Sequence, residues 1–240
     1  MALLLALLLA AVPPDTARIR ARLHPWGTPR SADTALVVLR STAYDCGYSP
    51  RLKLARWAAY FYTPGGPRRA RHHGRFVADP RLPADRSPGP DDYRGAFRRD
   101  LSGFDRGHLA PDASLKVFGA RAQAETYYLT NITPQHSRTN RGPWLEVEDS
   151  IRRSVGKGET AWAVVGPVFF AGRDTQWLGC VAVPHAYFAV RAGKRPPLST
   201  AWLIPNAVAP APDRPLQSWI VPLDSVERLT GLDLLPGLSQ

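Results

Sequence analysis

Asp105-Arg106-Gly107-His108 sets a guanidinium two residues before an imidazole. In an extended chain, residues i and i+2 project from the same side, so Arg106 and His108 can address one phosphate group. Gly107 between them carries no side chain to obstruct the close approach of another backbone. Histidine suits a general base near neutral pH, because its ordinary pKa of about 6.5 lies closest to that range. Downstream stand Asn131, which opens Asn-Ile-Thr-Pro-Gln, then Asn140, and Glu148 eight residues further on. Phosphodiester hydrolysis needs a base, a cation and donors that hold phosphate, and His108 and Arg106 are residue types suited to the first and the last. Each residue alone has an ordinary reading as well. A single histidine is more often structural, Asn131 fits a turn, Asn140 fits a helix cap, and Glu148 fits a solvated helix charge.

The elements that must position these groups are legible in outline. Residues 33–40 and 54–63 read as strands, the second stopped by Pro64, Gly65 and Gly66. From 64 to 99 the chain is loop-like and carries Arg68, Arg69, Arg71, His72, His73 and Arg75. A long irregular stretch inside a compact domain is usually functional or disordered. Asp112 or Ser114 is expected to cap short helical turns that run to Ala124, and residues 126–130 read as another strand. Asn131 to Gln135 reads as a turn. A helix is expected from near Asn140 to Val155, with Trp144, Val147, Ile151 and Val155 on one buried stripe. Pro143 suits its first turn and Gly156 its end. On that helix, eight residues make just over two turns, so Asn140 and Glu148 would lie on neighbouring sides. Further strands are expected at 160–170, 180–183, 186–190 and 199–204, and a short helix at 221–230. The fold class is α+β: a single domain with a largely antiparallel sheet flanked by helices.

Composition bounds the partners. Lys and Arg total 31 against 20 Asp and Glu, a net charge of +11. Such an excess favours a polyanion, since each phosphate neutralised releases a condensed counterion. Apart from Lys53, Lys116, Lys157 and Lys194 the positive charge is all arginine, which a GC-rich genome would also give. Residues 1–12 form an uncharged Leu/Ala run, too short to span a bilayer and similar to the apolar core of a secretory signal. It lacks the basic start of such a signal, and the expected location is outside the cell or in the periplasm, with no stable membrane span. Residues 13–32 read as a loose basic lead-in, and 33–240 as the domain itself. Cys46 and Cys180 leave one disulfide open as a possibility.

Read together, FDRGHLAPDAS from Phe104, YYLTNITPQHSRTN from Tyr127 and RGPWLEVED from Arg141 resemble the DNA/RNA non-specific endonuclease family, the ββα-metal nucleases. The likeness continues more weakly through Val165-Gly166-Pro167, residues 183–188 and residues 226–232. The resemblance implies a ββα-metal active-site motif and hydrolysis of DNA and RNA without sequence preference. It implies Mg²⁺ as cofactor, with Mn²⁺ as a substitute. By the same resemblance His108 matches the general base, Arg106 a phosphate-contacting arginine, and Asn131 a residue that helps hold the transition state. Asn140 matches the side chain bound directly to the metal, and Glu148 an acidic residue that shapes the ion's water shell. A further nucleic-acid-binding arginine is expected upstream, at Arg75 first and Arg71 second. Two other readings stand beside this one: a phosphodiesterase or pyrophosphatase acting on small nucleotides, and a non-enzymatic protein that binds polyanions. His24, His136 and His185 have no partner pattern.

Overall fold

The structure is a computed structural model that describes residues 14–65, 74–100, 102–156, 158–194, 198–207 and 214–238. Helix α1 (Pro14–Arg20) leads into β1 (Arg30–Ser31), β2 (Val37–Arg40), β3 (Tyr44–Ser49) and β4 (Leu54–Tyr62). After a long irregular stretch come β5 (Phe104–His108), α2 (Asp112–Leu115), α3 (Ala120–Glu125), β6 (Ile132–His136), α4 (Ser137–Arg141) and α5 (Pro143–Arg153). The chain continues through β7 (Ala161–Val168), β8 (Gln176–Leu178), β9 (Val181–Val183), β10 (Ala186–Ala192) and β11 (Ser199–Pro205). It closes with β12 (Ile220–Val221), α6 (Leu223–Thr230) and β13 (Leu232–Asp233).

Seven strands form one sheet in the order β12-β11-β10-β7-β4-β3-β2, and every pairing is antiparallel. The fold is therefore α+β with a large antiparallel sheet. Its central strands are covered on both faces, which is why β4, β7 and β10 read as near-continuous apolar runs. One face packs Tyr60, Val165, Tyr187 and Trp202 against Trp144, Val147 and Ile151 of α5. The other packs Phe61, Val164, Phe188 and Val190 against Val226 and the C-terminal leucines Leu232, Leu234 and Leu235.

Several expectations give way to longer-range physics. Residues 126–130 are not a strand: they turn into a 3-10 segment at Leu129–Asn131, and only Tyr128 makes an isolated bridge, to Val77. Their aromatic and β-branched character favours a strand, but among the described residues only Val77 lies alongside to pair with them. The turn expected at Asn131–Gln135 is instead, from Ile132 to His136, strand β6, paired with β5 in a two-stranded ribbon. Pro134 is tolerated because a ribbon strand has an open edge where an amide is not needed. The expected single helix is two. Gly142 has φ −110° and ψ −112°, and Pro143 starts α5 afresh at its first turn. Asn140 and Glu148 thus sit on different helices, and the two-turn argument does not relate them. Strand β3 was not foreseen, and α2 starts after Pro111 with no side-chain cap from Asp112 or Ser114.

The basic lead-in is not loose. Arg20 donates to both carboxylate oxygens of buried Asp45 at 3.0 and 3.2 Å, and His24 Nε2 lies 2.9 Å from the same group. Leu23 is buried in the core, and β1 pairs with β13 at the other end of the chain. Cys46 and Cys180 are both free thiols, so the possible disulfide is not made. The apolar leader and Arg68, Arg69, Arg71, His72 and His73 lie outside the described residues. Among the described residues, no helix is long and apolar enough to cross a membrane.

Candidate active site

Strands β5 and β6 pair in register from Phe104↔His136 to His108↔Ile132. The alternation of β5 sends Arg106 and His108 to one side and Asp105 and Gly107 to the other. Gly107 is required by packing: a Cβ there would stand 2.2 Å from Gln135 Oε1 and 2.5 Å from its Cβ. The side chain that the glycine admits is thus the glutamine of the next strand.

His108, Arg106, Asn140 and Glu148 line one cleft of about 330 Å³, together with Asp112, Tyr127 and Arg141. The His108 ring meets Tyr127 edge-on at 5.0 Å and Phe76 at 5.7 Å. Its Nε2 is shut away without a hydrogen-bond partner, which leaves Nδ1 as the nitrogen that reaches the cleft. Burial pushes the imidazole down to about 4, with Asp112 pulling weakly the other way. With its proton on Nε2, the neutral ring presents a lone pair on Nδ1. That is the state a general base must hold.

Arg106 stacks over Phe76 at 5.2 Å and Tyr93 at 5.9 Å. Two aromatic faces fix its guanidinium without using its donors, and it has no ion pair among the described residues. Asp105, on the opposite side of β5, organises the neighbouring helix. Its Oδ2 accepts from Asn140 Nδ2 at 2.9 Å and Arg141 Nε at 2.8 Å; its Oδ1 accepts from Ser137 Oγ and Arg141 Nη2, both at 2.9 Å. Burial alone would raise its pKa, but the bonds from Arg141, Asn140 and Ser137 outweigh it and hold the carboxyl low. Because the Asn140 amide nitrogen is committed to Asp105, its carbonyl oxygen is the end left for a cation.

Glu148 sits one flank over on α5, its side chain only 14% exposed, with Arg152 Nη1 3.5 Å from Oε2. Burial raises its pKa to about 7, against the lowering pull of Arg152. It is not the solvated surface charge of the ordinary reading. Asn131 does not join the cleft. It is fully buried, its Oδ1 accepting from Ala110 N at 2.9 Å and its Nδ2 donating to the carbonyls of Ala110 and Thr126, each at 2.9 Å. Every polar atom of that amide is spent on backbone, so Asn131 holds the β5–α2 connection beneath the site in place of the direct contact expected of it.

Arg75 is exposed, between Gly74, whose Cβ would collide with Tyr127 at 2.0 Å, and Phe76, which touches His108. The adjoining loop is anchored by buried Asp79, which accepts from Thr130 Oγ1 at 2.5 Å and Arg81 Nη2 at 2.6 Å. Arg75 is thereby held beside the cleft rather than within its lining. His24, His136 and His185 are elsewhere; His185 Nδ1, for example, accepts from Phe170 N at 2.9 Å.

A second cleft of about 610 Å³ shares Arg106, Asn140 and Arg141 with the first and adds Arg94, Phe97 and Phe104. Phe97 is 51% exposed, with the Arg141 guanidinium 5.3 Å above its ring. Sequence reasoning assigned no role to Asp105, Arg141, Tyr127 or Phe97. For the first two the signal was adjacency to His108 and Asn140; for Phe97 there was none. Among the described residues no three His, Cys, Asp or Glu side chains cluster as a metal-ligand set. The donors present are instead an amide oxygen and one carboxylate, hard oxygens that fit a magnesium ion sharing its shell with substrate.

The family model for DNA/RNA non-specific endonucleases matches residues 28–240. The human mitochondrial nuclease EXOG is 30% identical over 95% of this chain and 64% of its own length. Bovine mitochondrial endonuclease G is 31% identical over 83% of this chain and 70% of its own. A nuclease of Serratia marcescens is 30% identical over 88% and 79% respectively. The chain thus spans about two thirds or less of the length of the EXOG relatives from human and mouse. The structure overlays on the crystal structure of an EndoG/EndoGI complex with a TM-score of 0.76, at 23% identity, over 95% of this chain and 94% of that one.

Proposed function

From the premise that this chain belongs to the DNA/RNA non-specific endonuclease family, we propose that it is a metal-dependent endonuclease that hydrolyses DNA and RNA without sequence preference. The observation that carries this reading is the single cleft into which His108, Arg106, Asn140 and Glu148 converge. His108, through Nδ1, takes a proton from water as it attacks phosphorus. Arg106, steadied by Phe76 and Tyr93, donates to non-bridging phosphate oxygens and offsets the added negative charge. Arg75 and Arg71 supply further contacts to the strand. Asn140 holds Mg²⁺, or Mn²⁺ in its place, through its amide oxygen, and Glu148 orients the ion's hydration. Bound there, the ion stabilises charge on the leaving oxygen. Contacts confined to backbone phosphate read no bases, in keeping with cleavage that ignores sequence.

The openness of the site favours polymer over small nucleotide diesters. The second cleft runs on from the first past Arg106 and Arg141, giving room for nucleotides on one side of the scissile bond. A protein that merely bound polyanions would have no use for an orphaned imidazole in an aromatic pocket. Incubation with plasmid, RNA and a small nucleotide diester, each with and without EDTA, tests all three readings. EDTA-sensitive nicking of plasmid together with RNA degradation is the expected result. Turnover of the small diester alone, or of nothing, overturns it. Export from the cytosol belongs to the same proposal and rests on the apolar leader, although several relatives carry mitochondrial names. Fractionation of expressing cells, with N-terminal sequencing of the product, decides it.

A further inference from the structure

A cavity of about 890 Å³ opens at the far end of the sheet, where β7 begins, β10 ends and β11 begins. The segment after α1 roofs it through Arg22, and the last turn of α5 forms a wall through Ser150 and Ser154. On α5, Glu148 and Ser150 are two residues apart, about 200° round the axis and so on roughly opposite sides. The cavity is therefore on the other flank of the helix from the catalytic cleft.

Its lining is cationic. Arg22, Arg191 and Lys194 face it with one carboxylate, Glu159. That carboxylate is engaged, since Glu159 Oε2 accepts from Gly156 N at 2.9 Å. Lys194 is exposed, with Nζ 5.9 Å from the Trp162 ring, a position from which the ammonium can swing to a ligand. Register places Arg191 opposite Thr200, one turn of the pleat from Ala189 and Trp202, so all the polar groups of β10 and β11 on this face point the same way.

Trp202 lines the cavity. It is 4% exposed, and its Nε1 has neither accessible surface nor a hydrogen-bond partner, so its ring rather than its N–H meets the cavity. Trp162 Nε1 is likewise turned away, donating to the Arg22 carbonyl at 2.7 Å. A cavity that offers a threonine hydroxyl and three cations suits a compact, anionic group rich in acceptor oxygens.

We propose that this cavity is a second phosphate-binding site, separate from the catalytic cleft, that takes a phosphate group from a nucleic-acid strand or as the free ion. Thr200 Oγ1 donates to its oxygens, Lys194 and Arg191 balance its charge, and the Trp202 ring packs beside it. The site needs no metal and performs no chemistry.

Indole ¹⁵N–¹H spectra of the full chain in EDTA test it. The probes are inorganic phosphate and a short single-stranded DNA, and Trp202→Phe assigns the signal. Trp144, one turn before Glu148 on α5, serves as the reporter for the catalytic cleft. The Trp202 signal is expected to shift on titration, with Lys194→Ala weakening the response about five- to tenfold. Cleavage of a dinucleotide substrate by Lys194→Ala should equal that of the parent. A shift with DNA alone identifies a backbone phosphate as the occupant, and a shift with inorganic phosphate that DNA fails to displace identifies the free ion. A Trp202 signal that neither probe moves, that moves equally in Lys194→Ala, or that stays fixed while Trp144 responds overturns the proposal. Because no turnover is read in the binding arm, its failure is separate from any failure of the nuclease assignment.

Discussion

Asn140 Nδ2 lies 2.9 Å from Asp105 Oδ2, and this bond decides which end of the amide is available to a cation. Were the amide free to rotate, half of its orientations would aim N–H groups at the ion. Asp105→Ala is expected to keep the fold but raise the Mg²⁺ concentration needed for half-maximal activity by about 10–100-fold. Asn140→Ala should lose activity outright and be poorly rescued by more metal. Glu148→Gln should be milder, since an amide oxygen still accepts a hydrogen bond. Mg²⁺ titrations of rate for the three variants check the order. A Glu148→Gln more damaged than Asn140→Ala would reverse their assigned roles.

His108→Ala is expected to lower the rate by about 10²–10⁴-fold with nucleic-acid binding nearly intact. Plasmid digestion by the purified variant is the measurement, with binding followed separately in EDTA. A rate above about a tenth of the parent's removes His108 as the base.

Opposed titrations give metal-free protein an unusual pH dependence. His108 is held down to about 4, so from its ordinary 6.5 to that value the unfolded chain takes a proton that the native one refuses. Its contribution to stability therefore rises with pH across that window. Glu148 is raised from 4.5 to about 7, so the native state is the one that binds the extra proton, and its contribution falls as pH rises. Between about pH 4.5 and 6.5 the two slopes oppose one another. Denaturation of Glu148→Gln in EDTA should show stability climbing with pH there, and of His108→Ala stability falling. Parallel profiles for the two variants would contradict these assignments. The same carboxyl predicts that Mg²⁺ binds more weakly as pH drops below about 7, where the ion must displace a proton.

Phe97 is expected to stack a base beside the scissile phosphate, with Arg141 steadying its ring. Phe97→Ala should lower kcat/KM on single-stranded DNA by about 5–100-fold, the usual range for one lost stacking partner. A dinucleotide too short to reach the second cleft should be cut as before. Equal losses on both substrates would place Phe97 in structural support instead.

The parts of the site that the sequence disclosed are those set by local geometry. Alternation along β5 put Arg106 and His108 together, and the Trp144-Val147-Ile151 stripe found the helix that carries Glu148. What stayed hidden depends on partners far along the chain. Nothing near Asp105 says that its carboxylate reaches forward to Asn140 and Arg141, and nothing near Asn131 says that its amide closes on Ala110 and Thr126. Helical spacing masked the interruption at Gly142, because an apolar stripe that begins at Trp144 is equally regular with or without the turn before it. The second cleft was illegible for a related reason: Phe97 and Arg141 are separated by more than forty residues of intervening chain.

The ion pair that docks the N-terminal segment sets how far this protein can be trimmed. The match to the family model begins at residue 28, yet Asp45, 2% exposed, is held among the described residues by the Arg20 guanidinium and a hydrogen bond with His24, both upstream of that point. A shortened version starting at residue 28 would retain every catalytic side chain and strand Asp45 as an uncompensated buried carboxylate, a cost of about 3–5 kcal/mol. Expression of such a truncation would be limited by a fold that weakens as pH rises and the stranded carboxyl ionises, rather than by any defect in the cleft, and Asp45→Asn would be the change that repairs it.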